Sequence, residues 1–257
     1  SFTNPLAIEF GFWGFLVWAF YFLTTFYFCV VEPQLGLFQY RPIRWINNLI
    51  IIATCAFTAY LFLSYVPSYI AGISLFQQYL LVGLIIFIGV FSSTDIRYIK
   101  LLSLGSSALF MVLTLVMLGA SGTSVSGYLE SMANLTGYFE NIHRFISPIS
   151  DYHGWYLCWW FAWSIMIGQF VARFVSGLKT WQLLLALLVI PSIAIGLWFS
   201  TLYYYFYSEI PVSALLRGAM VTLGVIFVIN SLDSLIRLYT DNLGFDIKTL
   251  GRQKYLL

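Results

Sequence analysis

The chain has 257 residues, 61% of them hydrophobic and 9% charged, with a mean hydropathy of +0.88. A water-soluble domain cannot hide that much apolar surface, so the bilayer must act as solvent. A formal net charge of +2 without a basic patch argues against a nucleic-acid surface, and two histidines outside any metal, acid–base or nucleophile arrangement argue against an enzyme.

Apolar stretches of the roughly 20 residues needed to cross a bilayer recur about seven times. They lie at roughly 9–31, 45–66, 77–94, 100–119, 152–173, 181–203 and 212–233. Each is about twice as long as a barrel strand requires, and an isolated strand in lipid would leave backbone groups unpaired, so all seven are expected to be helices. The expected fold is an all-α integral membrane protein, a single domain over residues 1–257.

Phe10, Trp13, Phe15 and Trp18 make the first span rich in rings. Residues 1–7 carry no basic side chain, so no cleavable signal peptide is expected. Pro42 is placed to start span two, and Trp45 to anchor it at the interface. Cys29, Cys55 and Cys158 follow no metal or disulfide spacing and read as small buried apolar side chains.

Residues 120–150 form the longest connection. There Tyr128, Leu129, Met132, Leu135, Phe139, Ile142 and Phe145 recur at spacings near three and four, which predicts an amphipathic helix on the outer surface. Asn134-Leu135-Thr136 matches a glycosylation acceptor, a common triplet. Pro191 should bend span six. Glu9 and Asp151 read as interfacial carboxylates. Asp233, in "FVINSLDS", is followed by an expected cytoplasmic tail at 234–257.

Basic residues follow this division. Arg41, Arg44, Arg97, Lys100, Arg173, Lys179, Arg237, Lys248, Arg252 and Lys254 fall on one side, Arg144 and Arg217 on the other. By the positive-inside rule the N-terminus is expected outside and the C-terminus in the cytoplasm, in an inner or plasma membrane.

Span five contains Trp155, Tyr156, Trp159, Trp160, Phe161 and Trp163. Interfacial tryptophans occupy one band, whereas the row from Trp155 to Trp163 extends about 12 Å along a helix. A trimethylammonium cation has no proton to donate, and aromatic faces attract it by roughly 0.5–2 kcal/mol each when desolvated. Spans one and five could together cage such a cation; packing between two helices is the plainer alternative.

The run "WYLCWWFAWSIMIGQFVARF" resembles the signature helix of the betaine/carnitine/choline transporters. Tyr156, Trp159, Trp160, Trp163, Ser164, Gly168, Phe170, Ala172 and Arg173 match that signature without a gap. "FVINSLDS" is similar to a later family motif, and "EFGFWGFLVWAF" to a stretch that supplies cage rings. The resemblance implies a substrate cage at Phe10, Phe15, Trp18, Trp159, Trp160 and Trp163, and a degraded ion site at Phe227, Asn230 and Ser231. Leu157, Ile165 and Gln169 depart from the signature, and Asn230 replaces a sodium-coordinating threonine.

Family members resemble inverted-repeat symporters of about twelve spans, and this chain is expected to lack their first and last core helices. A degenerate transporter-like subunit, structural within a larger membrane complex and in contact with other subunits and lipid, is therefore the favoured expectation. No cofactor is expected beyond structural lipids, with sodium if transport is retained. The alternative is transport of betaine, choline or carnitine, completed by helices outside this chain.

Overall fold

The computed structural model describes residues 4–175 and 177–256. Among them every regular element is helical. Helices α1 (Pro5–Trp13) and α2 (Phe15–Phe26) meet at Gly14, and a π turn over Tyr27–Val31 leads into α3 (Glu32–Leu35). Then come α4 (Arg41–Tyr69), α5 (Leu75–Ser93) and α6 (Ile96–Ala120). The short helices α7 (Val125–Ala133), α8 (Thr136–Glu140) and α9 (Ile142–Phe145) precede α10 (Asp151–Ala172). Helix α11 (Thr180–Leu184) passes through a π turn at Leu185–Val189 into α12 (Ile190–Tyr207). The chain continues with α13 (Ala214–Leu243), α14 (Ile247–Leu250) and α15 (Arg252–Tyr255).

Six helical runs, 5–35, 41–69, 75–93, 96–120, 180–207 and 214–243, are long and apolar enough to cross a bilayer. The protein is an all-α integral membrane protein. The remaining predicted span is α10, a continuous helix of 22 residues that falls outside those six. Its tryptophans, tyrosines and histidine carry polar atoms on large rings, which lowers its hydropathy.

Local chemistry accounts for the helix ends. Ser74 and Gln77 form a reciprocal cap on α5, and the hydroxyls of Ser124, Ser150 and Ser213 accept backbone N–H bonds at the starts of α7, α10 and α13. Pro42 lies in the first turn of α4, where its missing N–H is harmless. Pro191 cannot close a regular turn with the carbonyl four residues back, and the π turn at Leu185–Val189 sits immediately before it. Helix α13 runs past its predicted end at 233 and stops at Gly244, whose φ of 74° admits a left-handed cap with the Phe245 N–H on the Thr240 carbonyl at 2.8 Å.

The chain forms two compact units, one of residues up to 35 with 111–212, the other of residues 36–110 with 213–257. In the first, α10 packs along α2, and α12 packs against α1 and α7. The outer segment expected to hold one amphipathic helix holds three short ones, α7 to α9, whose apolar side chains close over α1 and α12. Tyr128 donates to the Leu197 carbonyl at 2.9 Å and Ser131 to the Ser200 carbonyl at 3.2 Å. Tyr138 and Phe145, both fully buried, join Ala7 and Phe10 in one core. The Asn134 amide nitrogen donates to the carbonyls of Glu130 and Ser131, and its oxygen accepts from Asn4 at 3.1 Å, so this side chain is part of the seam.

In the second unit α13 packs against α5 and α4 around Ile85, Ile229, Leu232 and Ile236. Gly89 allows the close approach, because a methyl there would stand 3.3 Å from Leu232 Cβ. Before α6, Asp95 accepts from the Arg97 backbone at 2.9 Å and from its guanidinium at 2.6 Å. Those bonds pull the Asp95 carboxyl down to about 2. A folded-state value below the ordinary one means the contact stabilises fully above about 3.8 and is lost as pH falls towards about 2. Thermal unfolding across that acid window should show wild type converging on Asp95→Asn, with the two apart above it; parallel curves would show that the contact contributes nothing.

Candidate functional site

Seven rings from three helices, α1, α2 and α10, meet within the first unit. Gly14 interrupts the first span with a φ of −97° and ψ of −139°, which separates α1 from α2 and leaves Trp13 at the break. Opposite it, α10 presents Tyr156, Trp159, Trp160 and Trp163 at four- and three-residue spacing. The Trp160 indole N–H donates to the Phe12 carbonyl at 2.8 Å, which fixes the ring's orientation. Trp13 stands 5.1 Å from Trp160 at 80°, 6.4 Å from Trp159 at 87° and 5.5 Å from Tyr156 at 65°. Tyr21 of α2 adds a further ring 6.2 Å from Trp160 at 71°, and Trp18 stands 5.2 Å from Tyr21 at 88°.

Two backbone features hold these helices together. The Thr24 hydroxyl donates to the Ser164 carbonyl of α10 at 2.7 Å, shared with the Phe20 carbonyl one turn back at 2.8 Å. One turn further along α10, Gly168 lies directly on Thr24. The cluster is polar at its ring edges: the indole N–H groups of Trp18, Trp159 and Trp163 are buried without a hydrogen-bond partner. Such donors ordinarily find an acceptor.

The residues expected to form a cage therefore divide. Trp159, Trp160 and Trp163 are together, and Trp18 joins them through Tyr21. Phe10 and Phe15 turn to the outer segment instead. Phe10 meets Tyr138 edge-on at 5.0 Å, and Phe15 meets Phe139 at 6.0 Å. The rings that the structure puts in place are Trp13, Tyr21 and Tyr156. Trp13 was legible as an aromatic of span one; the signal for its position is the neighbouring Gly14, whose break turns it towards α10.

Phe227, Asn230 and Ser231 lie on α13 in the second unit. The Phe227 ring is 37% exposed and packs edge-on against Phe110 at 6.0 Å, while Asn230 leaves its buried Oδ1 without a donor.

These features define a class: an integral membrane protein of apolar helices with an aromatic cluster built among three of them. No family model matches the chain. It is similar to a glycine betaine/proline/choline transporter of Vibrio parahaemolyticus, 34% identical over 83 residues, which covers 26% of this chain and 15% of that protein. It is also similar to glycine betaine transporter 1 of the same organism, 31% identical over 34% of this chain and 18% of that protein. An uncharacterised transporter of Haemophilus influenzae is 31% identical over 34% of this chain and 13% of that protein. The chain thus spans less than a fifth of the length of these curated relatives, and it is a transporter-like membrane protein.

Proposed function

We propose that the chain is a divergent member of the betaine/carnitine/choline transporter family and that its aromatic cluster binds the quaternary ammonium group of a small osmolyte such as glycine betaine or choline. The observation that carries this reading is the setting of Trp160. One hydrogen bond fixes its ring, and Trp13 and Tyr21 stand beside it at steep angles. Rings so inclined are the corners of a box whose faces attract a cation that has no N–H to donate. The names of the relatives, which include betaine and choline transporters, support the same ligand class. The distribution of basic residues supports an N-terminus outside and a C-terminus in the cytoplasm. Asn230 and Ser231 would serve a sodium ion if transport is sodium-coupled.

A second reading is a structural role in a larger membrane complex, with lipid and other subunits as partners. It is favoured by Phe10 and Phe15, whose rings complete the outer core rather than the cluster.

Calorimetric titration of the purified protein with choline, and with the neutral isostere in which carbon replaces nitrogen, separates the two. Choline should bind and the isostere should not. Trp160→Ala should weaken choline by about 2- to 30-fold, the equivalent of roughly 0.5–2 kcal/mol. Equal affinity for both compounds, or heat from neither, would leave the structural role in place.

A further inference from the structure

Helices α5 and α13, each long and apolar enough to cross a bilayer, end at one cavity of about 410 Å³ in the second unit. Sites for small ligands have volumes of about 300–1,000 Å³. Thr94, the residue after α5, lines it with Arg237 and Asp241 from the last two turns of α13. Beyond the turn at Gly244, Asp246 and Lys248 close a second side, and Tyr255 of α15 a third. The Tyr255 hydroxyl bonds Ser93 at 2.9 Å and Thr240 at 3.2 Å, which fastens that wall to both long helices.

The lining carries two cations and two carboxylates, and they do not consume one another. Arg237 donates to the Ser93 carbonyl through Nη1 at 3.1 Å and has Nε 3.5 Å from Asp241, which engages two of its five N–H groups. Asp246 accepts the Thr249 backbone N–H at 2.8 Å and the Thr249 hydroxyl at 2.9 Å on the same oxygen, Oδ1. Those bonds hold its carboxyl below the usual carboxylate range, so it is charged at neutral pH. Lys248 is exposed, and no carboxylate of the described residues lies within ion-pair distance of its ammonium.

A purely anionic ligand would meet Asp241 and Asp246, and a purely cationic one Arg237 and Lys248. The set matches a ligand with one charge of each sign, whose cation has N–H groups to give a carboxylate. A quaternary ammonium has none, and among the described residues Tyr255 is the one ring in the wall, so the aromatic arrangement of the first unit is not repeated here.

The ends of membrane helices lie at the depth of lipid headgroups. Phe91, on α5 just before Thr94, is 38% exposed, and Phe245, beside Asp246, is 54% exposed. Arg252 lies over the Phe91 ring, 5.3 Å from its centre. Open apolar rings next to a charged cavity suit an amphiphile whose headgroup enters while its acyl chains stay outside. A free polar solute gains nothing from them.

We propose that this cavity binds the headgroup of a phospholipid with a primary ammonium, a phosphatidylethanolamine, with its phosphate on Lys248 and Arg237 and its ammonium on Asp246. The site does not depend on the quaternary-ammonium reading of the aromatic cluster.

Native mass spectrometry of the full chain, released from detergent with added lipids of identical acyl chains, tests this. One phosphatidylethanolamine should stay bound at concentrations where phosphatidylcholine and phosphatidylglycerol do not. Lys248→Gln removes a partner of the phosphate, and Asp246→Asn removes the charge while keeping a residue that can cap α14. Each should weaken the adduct by about tenfold. Equal retention of the three lipids, retention of none, preference for either of the other two, or an adduct unchanged in either variant would overturn the proposal. So would displacement by soluble phosphoethanolamine at the same concentration, which would make the ligand a free solute. Should Asp246→Asn fail to fold, Lys248→Gln and the comparison of lipids on the wild-type chain decide.

Discussion

Replacing Phe145 with alanine should destabilise the first unit by about 3–5 kcal/mol, the range for removing a large ring from a closed core. The ring has 0% exposure and lies against Gly11 of α1, where even one methyl group would collide with it. Tyr138 stands 5.0 Å away and His153 of α10 5.9 Å away. No neighbour can collapse into the space easily, because Gly11 has no side chain, Ala7 only a methyl fixed to its backbone, and Phe10 is held by Tyr138. Thermal unfolding in detergent gives the loss, and limited proteolysis locates it. Cleavage should concentrate between 125 and 149, where the short helices would lose their deepest anchor. A melting curve within error of wild type would show that Phe145 fills space without fastening the segment.

Phe145 also shows where the sequence was readable and where it was not. Its place in a three- and four-residue series with Tyr128, Leu135 and Phe139 marked the apolar face of the outer segment; Tyr128 and Phe145 are buried and Leu135 packs against the core, while Phe139 stays half-exposed. What it covers was not readable. The partner is Gly11, a residue whose role is the absence of a side chain, and nothing in a single sequence distinguishes a glycine that receives a ring from one that faces lipid. The same limit explains the cage. The family resemblance grouped Trp159, Trp160 and Trp163, and all three are in the cluster. For span one, spacing could not choose between Phe10, Trp13 and Phe15, because the choice depends on the backbone break at Gly14 and on the outer segment competing for two of the rings.

Apolar runs longer than a strand needs made helices the only class open to this chain, and the structure has no other among its described residues. Helix α10 was read as a span like the others, although its large rings with polar atoms dilute the hydropathy that marks one. Asp233 was visible only as a residue of "FVINSLDS"; its bond to Ser92 joins residues 141 positions apart in the chain and needed the fold to reveal it.

Gly168→Ala tests the join on which the aromatic cluster depends. A β-carbon there would lie 2.8 Å from the Thr24 carbonyl carbon and 2.9 Å from its Cβ and Oγ1. Overpacking of this kind typically costs about 1–3 kcal/mol, and here the nearest atom is backbone, so no rotamer change relieves it. Helices α2 and α10 must separate, which would lengthen the 2.7 Å bond from Thr24 to the Ser164 carbonyl and move Tyr21 away from Trp160. Choline binding and thermal stability should therefore fall together. Gly83→Ala is the control, since no atom lies within 4 Å of its added methyl and the change should stabilise α5 by about 0.5–1 kcal/mol. A Thr24→Ser background, which removes the side-chain methyl but keeps the backbone and the hydroxyl, should not rescue Gly168→Ala. Rescue there would mean that the methyl, and not the approach of the two backbones, sets the distance between the helices that carry the rings.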